Sequence, residues 1–562
     1  SGGYLAPEPE YGEPGFVALT HALAREWAGN REGILADAEI IRGQLRDLAE
    51  PVSIGDKRGA DPREAAARSW SGAFDKTHGG FGSAPKFLHP NVLSFLLRWG
   101  VWRRDNALME NVFLTLDQMA AGGVRDQLGG AFHRYAVDRF WQLPHFEIML
   151  DENVLLARLY LEAYQASGKP RYAAVARGIL DDLLDRFRLP GGGFASALDA
   201  ETEGREGFFY TWTADEVRSA LGTAGAEPFI EAYVDQFHGL VGGRSVLRIL
   251  DDPRSLILTQ DRLAESRARL LGHRAGRRPP LRDDKVLTSW NALAVSAFAI
   301  AARVLDDPRY LGVAREELDR LLTPLSGDGP LTHSRLGGRA GGPVFVDDYA
   351  FLVQALIDVY ETDFRAHRLD AARQLMEALI ARFQERPGMP FLLTPAGHAS
   401  AIPARAVLDE NNVPSGNAVA LTALRRLALF GAGKALEDQA RDISARLGRY
   451  LDERAPSASA LLGSLDYSPE EAHEIVIVGN PEDGDTRRLL REVYAKLLHG
   501  TVLAVIAPDA PAENETWPLL AGRPLLDDKA TAYVCKNRLC DLPVDTPAEL
   551  SAQLDRLVTL KP

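Results

Sequence analysis

A histidine and a glutamate, separated by one residue, stand immediately before a long apolar-periodic helix. They are His145 and Glu147, at the end of the segment Phe-Trp-Gln-Leu-Pro-His-Phe-Glu. A histidine can transfer a proton near neutral pH, and a neighbouring carboxylate can orient it. The pattern predicts acid–base catalysis by both residues, with helix capping by Glu147 as the alternative. On the preceding turn, His133 is a further catalytic candidate and Tyr135 a candidate for substrate contact.

Acidic residues gather in other connections that lead into helices. Asp284 and Asp348 are each the second member of an adjacent Asp–Asp pair. Helix capping accounts for one member of each pair, so the sequence predicts that Asp284 and Asp348 reach a ligand as catalytic carboxylates. Asp199 and Glu201 lie in a Gly-rich loop. Two such carboxylates could serve as acid and base of a glycoside hydrolase, or could simply form solvated turns.

The remaining candidates could bond to or stack on a polyhydroxylated ligand, and they are Asp126, Trp141, Trp212, Trp290, Asn291, Tyr349 and Asn417. The two asparagines occupy equivalent repeat positions inside helices, where asparagine is unfavourable. Their recurrence predicts a polar central cavity, with an inter-helix hydrogen bond as the alternative. Aromatic residues mostly serve as core.

No metal site and no cofactor are predicted. The spacing of Cys535 and Cys540 matches neither a thioredoxin-type site nor a zinc site, so two free thiols are expected.

A helical hairpin repeats along the chain and must position these residues. Residues 153–184 align without gaps on 291–322, and two further copies fit at 349–380 and 417–448. The larger first spacing suggests a degenerate copy around 213–272. Repeated two-helix units cannot bury their apolar faces alone.

The two helices of each copy differ in character. The first is nearly all apolar and the second is amphipathic, which suits an inner and an outer ring. The predicted fold is mainly α: an (α/α) barrel of about six hairpins, with an open superhelical array as the alternative. We expect an N-terminal helical segment over 1–60, the barrel over 61–465 and a small α/β appendage over 466–562.

Bulk properties limit the function classes. The chain of 562 residues has a net charge of −14 and a pI near 5.5, which argues against nucleic-acid or anionic-membrane partners. No apolar run approaches the roughly 20 residues needed to span a bilayer. The N-terminus lacks the features of a signal peptide, and two cysteines fit a reducing compartment. A cytoplasmic location is predicted.

Several motifs together resemble those of a known family, and they are Gly79–Phe87, Asp126–Leu150, Gly193–Gly204, Arg282–Asn291, Asp347–Leu352 and Pro414–Asn417. In this order they resemble the thioredoxin-domain-containing proteins related to the mammalian spermatogenesis-associated member. The larger part of those proteins is similar to the six-hairpin α/α barrels of N-acylglucosamine 2-epimerases and glycosidases. The thioredoxin-like domain is absent here, and residues 2–9 look like its end. The loop 409–413 departs from the family pattern, and this difference weakens the transfer of a family role to Asn412.

The resemblance implies a carbohydrate or similar polyhydroxylated ligand and a thioredoxin-like partner domain. Epimerases of this kind use paired histidines from inner helices, whereas no histidine stands at the later inner-helix starts here. A hydrolase that uses Asp or Glu is therefore an open variant of the enzyme hypothesis. The alternative function is a non-catalytic module that binds a glycan or peptide.

Overall fold

A computed structural model of the chain describes residues 6–9, 14–49, 59, 61–326, 331–398, 404–512 and 514–557. Residues 1–5, which hold part of the expected domain end, lie outside this description. The α-helices are α1 (Phe16–Gly29), α2 (Arg31–Ala49), α3 (Pro62–Gly72), α4 (Pro90–Arg103), α5 (Asn106–Ala121), α6 (Leu150–Ser167), α7 (Pro170–Arg186), α8 (Ala214–Leu221), α9 (Thr223–Tyr233), α10 (Leu256–Arg262), α11 (Ala264–Arg274), α12 (Thr288–Val304), α13 (Pro308–Ser326), α14 (Val346–Asp363), α15 (His367–Phe383), α16 (Gly416–Phe430), α17 (Lys434–Arg446), α18 (Gly448–Arg454), α19 (Ser459–Gly463), α20 (Gly484–Tyr494) and α21 (Pro547–Leu557).

Short strands connect the helices. They are β1 (Lys86–Phe87), β2 (Tyr135–Ala136), β3 (Pro144–His145), β4 (Ile148–Met149), β5 (Ala197–Leu198), β6 (Glu201–Thr202), β7 (Arg205–Glu206), β8 (Leu240–Val241), β9 (Arg244–Ser245), β10 (Arg282–Asp283), β11 (Val286–Leu287), β12 (Ser334–Leu336), β13 (Arg339–Gly341), β14 (His473–Val478), β15 (Thr501–Ile506), β16 (Thr531–Lys536) and β17 (Leu539–Cys540).

Six helices form a closed inner ring. In ring order they are α4, α6, α12, α14, α16 and α19, and α19 returns to contact α4. Helices α5, α7, α13, α15 and α17 each pack outside the inner helix that precedes them. Helix α3 packs beside α19 and supplies the sixth outer position. The predicted barrel is confirmed, and the open array is wrong because both ends of the barrel segment meet.

Burial separates the two rings as the composition predicts. In the inner helix α12, 14 of 17 residues are buried. In the outer helix α7, only seven of 17 are buried, and they lie at helical spacing on one face. An all-apolar helix is stable when surrounded, and an amphipathic one when half of it faces water.

The expected degenerate hairpin around 213–272 is wrong. Helix α6 contacts α12 directly, so no hairpin stands between them in the ring. Helices α8 to α11 instead form a small separate group in which α8 packs on α9 and α11. At eight and seven residues, α8 and α10 are only about 10–12 Å long, too short to replace a barrel helix.

Buried ion pairs hold the inner ring together near the helix C-termini. Arg426 of α16 donates to Asp358 of α14 at 2.7 Å and pairs with Glu361 at 2.9 Å. Asp358 also accepts from Ser296 of α12, and Glu361 accepts from Arg303 of the same helix at 3.1 Å. These contacts join three consecutive inner helices below the level of the connecting strands.

The C-terminal residues close this end of the barrel. The sheet order is β15-β14-β16-β17, with β14 parallel to β15 and antiparallel to β16. Ile475 and Ile477 face α20 and α21, whereas Val476 and Val478 join the barrel core. The hydroxyl of Tyr494 donates to the Glu361 backbone carbonyl at 3.1 Å. The predicted α/β appendage is therefore packed directly on the ring.

The expected free thiols are wrong. Cys535 and Cys540 form a disulfide, because β16 and β17 pair antiparallel and place the two residues directly opposite each other. Spacing alone did not indicate this hairpin. None of the described helices has the length and apolar character needed to cross a membrane.

The buried ion pairs of Arg426 with Asp358 and Glu361 lead to a prediction for the stability of the fold. Replacing Arg426 with Met should lower the free energy of unfolding by roughly 3–5 kcal/mol, because Asp358 loses its ion-pair partner inside the protein. Urea denaturation measures the change. The control R441M removes an exposed arginine paired with Asp438 and should leave stability unchanged. Equal stability of R426M and wild type would contradict a structural role for the pair.

Candidate functional site

The connectors before the inner helices gather at the opposite end of the barrel from the appendage. They form small sheets with the orders β1-β2-β3, β10-β5-β4 and β11-β12-β13. The N-termini of the inner helices open into this layer. We call this end the mouth of the barrel.

Three asparagines fix the connectors to the inner helices. The amide oxygen of Asn291 accepts from the Phe194 N–H at 2.7 Å, and its nitrogen donates to the carbonyls of Phe194 and Leu287. Asn417 binds the backbone of Phe391 in the same two-way manner. Asn153 does so with Phe132. Buried backbone groups therefore occupy both amides, and the ligand role of Asn291 and Asn417 stays a prediction.

A pair of adjacent carboxyl groups lies in the first turn of α6. Asp151 and Glu152 are 3% and 2% exposed. Burial, reinforced in Glu152 by the neighbouring Asp151, raises the pKa of Glu152 to about 8. Burial likewise raises the pKa of Asp151 to about 6. The Asp151 Oδ1 atom has no hydrogen-bond partner among the described residues. Neither residue is predicted from the sequence, because acidic residues are ordinary in the first turn of a helix.

Three predicted site residues come together beside this pair. The His145 Nδ1 atom lies 2.7 Å from Glu206 Oε1, and its ring stacks on Tyr135 at 5.2 Å between centroids. Glu147 pairs with Arg134 at 2.8 Å, and its charge contributes to the raised pKa of Glu152. The pairing of β2 with β3 sets Tyr135 opposite His145. A histidine, an aromatic ring and several carboxyls thus share one side of the mouth.

A segment over residues 404–415, which we call the strap, crosses the mouth. The side-chain amide of Asn412 donates to Glu152 on α6. The backbone carbonyl of Asn412 accepts from the Asn91 side chain on α4 at 3.0 Å. Glu410 accepts from the N–H groups of Ala460 and Leu461 at the start of α19. Asn412, whose loop departs from the family pattern, is thus the direct partner of a carboxyl whose pKa burial raises to about 8.

The Asp347–Asp348 pair lies at the start of α14. Asp348 is fully buried and caps the helix by accepting from the Phe345 N–H at 2.9 Å. It also contacts His333 Nδ1 at 3.1 Å, and this contact raises the His333 pKa. Asp347 is the half-buried member, and burial raises its pKa to about 6. The assignment of Asp348 as the ligand-facing member is corrected, because it is the capping residue.

Other predicted residues are structural. His133 is buried, and burial lowers its pKa to about 4, so it is neutral at physiological pH. Asp126 is held by Arg274 at 2.7 Å. Trp141 donates to the His78 carbonyl, Trp212 lies under Arg277 at 3.9 Å, and the Tyr349 hydroxyl accepts from Arg382. These side chains are fully packed inside the protein, which corrects their predicted site roles.

The remaining predicted residues are more exposed. Asp199 accepts from the Glu201 N–H in a turn, and Asp284 pairs with Arg282 at 2.6 Å. Glu201 and Asp284 border one open surface groove of about 750 Å³ that does not include His145. Trp290 is half-buried in the first turn of α12. The structure therefore does not gather all predicted residues around one hollow.

Comparison with known proteins shows sequence similarity over nearly the whole chain. No family model matches the chain. It is 29% identical to spermatogenesis-associated protein 20 of Homo sapiens, over 98% of this chain and 76% of that protein. The rat protein gives the same identity and coverage. The chain is thus similar to spermatogenesis-associated protein 20 over nearly its full length.

Solved structures with low sequence identity also match. A GH76 α-mannanase of Bacteroides thetaiotaomicron is 13% identical with a TM-score of 0.40, over 68% of this chain and 82% of that chain. A cellobiose 2-epimerase of Spirochaeta thermophila is 16% identical with a TM-score of 0.31, over 70% and 98% respectively.

The asparagine clamps predict a loss of stability on truncation. Changing Asn291 to Ala should cost roughly 2–4 kcal/mol, because the Phe194 backbone groups and the Leu287 carbonyl lose their partner in the interior. Urea denaturation monitored by circular dichroism measures the loss. N106A, at an exposed helix position, is the matched control and should change stability by less than about 0.5 kcal/mol. A neutral N291A would show that the clamp is dispensable.

The Glu152 pKa predicts a pH-dependent gain from E152Q. A folded pKa of about 8 above the ordinary 4.5 means that the folded state favours the protonated form. The stability of the wild type should therefore fall as pH rises through this window, whereas the neutral glutamine avoids the cost. At pH 8.5 E152Q should be more stable by on the order of 2 kcal/mol. The gain should vanish below about pH 4.5.

Urea denaturation at pH 4.5, 7 and 8.5 tests this expectation. The control is E201Q, at an exposed carboxyl, which should give no pH-dependent gain. A constant difference between E152Q and wild type across the series would contradict the raised pKa.

Proposed function

We propose that this homologue of spermatogenesis-associated protein 20 is a carbohydrate-active enzyme with hydrolase-like acid–base chemistry at the barrel mouth. The observation that carries the proposal is the buried Asp151–Glu152 pair, in which Asp151 Oδ1 has no partner among the described residues and burial raises the Glu152 pKa to about 8. Keeping two carboxyls away from water costs free energy, and perturbed carboxyls cluster at functional sites.

The two carboxyls have different protonation at neutral pH. Glu152, with a pKa of about 8, is mostly protonated, whereas Asp151, with a pKa of about 6, is mostly ionised. A protonated carboxyl can donate to the oxygen of a leaving group, and an ionised one can stabilise positive charge or activate water. Glycoside hydrolysis requires these two roles. Glu152 is the proposed acid and Asp151 its proposed ionised partner.

The surroundings suit a sugar ring. Phe87 and Tyr135 lie 5.2 Å apart between ring centroids, and Tyr135 stacks on His145. Phe87 is 37% exposed, so the end of this aromatic row is open to a ligand. Aromatic faces bury the apolar surface of a ring, while the polar groups of His145 and Arg134 remain for hydroxyl contacts.

Access to the acid depends on the strap. Asn412 covers Glu152 through a direct hydrogen bond, and Asn91 holds Asn412 from the other side. A substrate must replace this contact to reach the proton of Glu152. Loops that move to admit substrate and then exclude water are common in enzymes. The strap is therefore the proposed lid of the site.

Epimerisation by paired histidines is less well supported. His133 is neutral, buried and bonded to the Phe146 carbonyl at 3.0 Å. His145 and His333 precede α6 and α14, and these two inner helices are separated by α12 in the ring. The carboxyl pair is therefore the better-supported acid–base group. The thioredoxin-like partner and the cytoplasmic location remain predictions from sequence.

A binding module is the second candidate function. One observation favours it: Asp151 and Glu152 are nearly inaccessible, whereas the aromatic row reaches the surface. Such a module would hold a glycan on Phe87, Tyr135 and His145 without turnover.

A panel of aryl glycosides and oligosaccharides tests the enzyme proposal. Product formation by mass analysis should fall at least about 100-fold in D151N and E152Q, the loss expected for an acid–base group. The controls D199N and D284N change exposed carboxyls and should retain activity. Ligand-induced melting shifts without product would favour the binding module. Absence of both turnover and shifts would overturn the proposal.

A further inference from the structure

A cavity of about 120 Å³ lies inside the ring beneath the strap. All six inner helices contribute to its wall, and Pro414 of the strap and Asn91 of α4 lie at its outer end. The polar side chains that matter for a ligand are Arg98, Arg158, Gln354, Arg426 and Ser459. A hollow lined from every inner helix is a common position for a ligand between helices of a bundle.

Two arginines of this wall share one carboxylate. Arg98 donates to Glu162 at 2.6 Å, and Arg158 donates to the same Glu162 oxygen at 3.3 Å. No other hydrogen bond from either guanidinium to a described residue is present, although each carries five N–H donors. Their side chains are 21% and 28% accessible despite their position on ring helices. Both arginines border this cavity, and both also border a second cavity of about 110 Å³ on the appendage side that includes Glu162.

Two further polar groups of the wall are buried without partners. The Nε atom of Arg426 and the hydroxyl of Ser459 lack hydrogen bonds to any described residue. Both residues are at least nine-tenths buried, at 4% and 2% exposure. Buried donors are normally paired, and an unpaired one costs about 1–3 kcal/mol. Unpaired donors around one hollow point to a ligand that supplies acceptors.

Charge distinguishes this cavity from the rest of the chain. Its wall carries three arginines and one acid, Asp466, which is itself paired with Arg63 at 3.1 Å. The carboxylates that pair with the three arginines, Glu162, Asp358 and Glu361, lie outside this wall. The whole chain has a net charge of −14. The overall field repels anions, so selective binding of one must come from these local contacts. Guanidinium groups bind carboxylate and phosphate oxygens in paired hydrogen bonds.

We infer that this cavity binds an oxyanion, either a free phosphate or sulfate or the acidic group of a sugar acid or sugar phosphate, through Arg98 and Arg158. The volume of 120 Å³ corresponds to about four waters, which suits an acidic group and is too small for an oligosaccharide. If the proposed function holds, the anionic group is one end of the substrate and its sugar ring lies in the mouth. The inference thus names an acidic sugar as the substrate class.

Calorimetric titration of the full chain at constant ionic strength tests the inference. The probes are inorganic phosphate, sulfate, glucuronate, glucose 6-phosphate and neutral glucose. We expect one site for at least one anion, with glucose at least about tenfold weaker than glucuronate. R158Q should weaken anion binding at least about tenfold, since it removes a charge-assisted contact. The control R218Q removes an arginine of similar accessibility on α8 and should bind like wild type.

The outcomes separate the sources of the anion and the two proposals. Binding of free phosphate alone indicates an inorganic ligand, whereas tighter binding of glucuronate or glucose 6-phosphate indicates a substrate end. If R158Q does not fold, R158K keeps the charge but loses the planar fork and should still weaken binding. D151N should bind inorganic phosphate and sulfate like wild type, because Asp151 does not line the cavity. Loss of turnover and loss of anion binding are therefore distinguishable. Absence of anion binding, or wild-type binding in the Arg158 variants, would overturn the inference.

Discussion

The inner ring depends on charged side chains that are removed from water and paired with one another. Arg426, Asp358 and Glu361 join α16 to α14, while Ser296 and Arg303 tie α12 to the same carboxylates. A charge left unpaired at this depth would cost several kcal/mol, so helices that slide out of register lose far more than one contact. The sheet of the appendage seals this end. The ring can therefore remain hollow nearer the mouth without collapsing.

At the mouth, hydrogen bonds of neutral asparagine amides, rather than ion pairs, fix the connectors. Asn153, Asn291 and Asn417 each bind both polar backbone groups of one connector residue, and these connector residues lie outside the short strands. The asparagines therefore hold parts of the connectors that the small sheets do not. Connectors fixed in this way can keep water away from neighbouring side chains that a flexible loop would leave exposed. Asp151 and Glu152 are two such side chains. Burial of these two carboxyls lowers the stability of the folded protein, and the ion pairs of the inner ring compensate for that loss.

The strap lies between the proposed site and the cavity beneath it and has contacts with both. Asn412 lies over Glu152, Pro414 of the same strap borders the cavity, and Arg98 and Arg158 lie deeper in the same wall. The carboxyls at the mouth favour neutral hydroxyl groups, because burial penalises their charged forms. The arginines below favour an acceptor with negative charge. A ligand with a neutral ring and an acidic end would match both levels, and the proposed function and the anion site are consistent in that respect.

The repeat, the apolar inner helices, the amphipathic outer helices and the strands of the appendage were all predictable from sequence. They follow from local periodicity, because side chains return to the same face every 2 residues in a strand and every 3.6 residues in a helix, independently of the rest of the chain. The proximity of His145 and Tyr135 was also predictable, since one short hairpin carries both. Ring closure by α3 and α19 and the clamp of Asn291 on Phe194 were decided by tertiary structure. Each joins groups whose spacing in the chain says little about distance in space. The raised pKa of Glu152 has the same origin, because desolvation sums over every atom packed around a group and no local pattern encodes that sum.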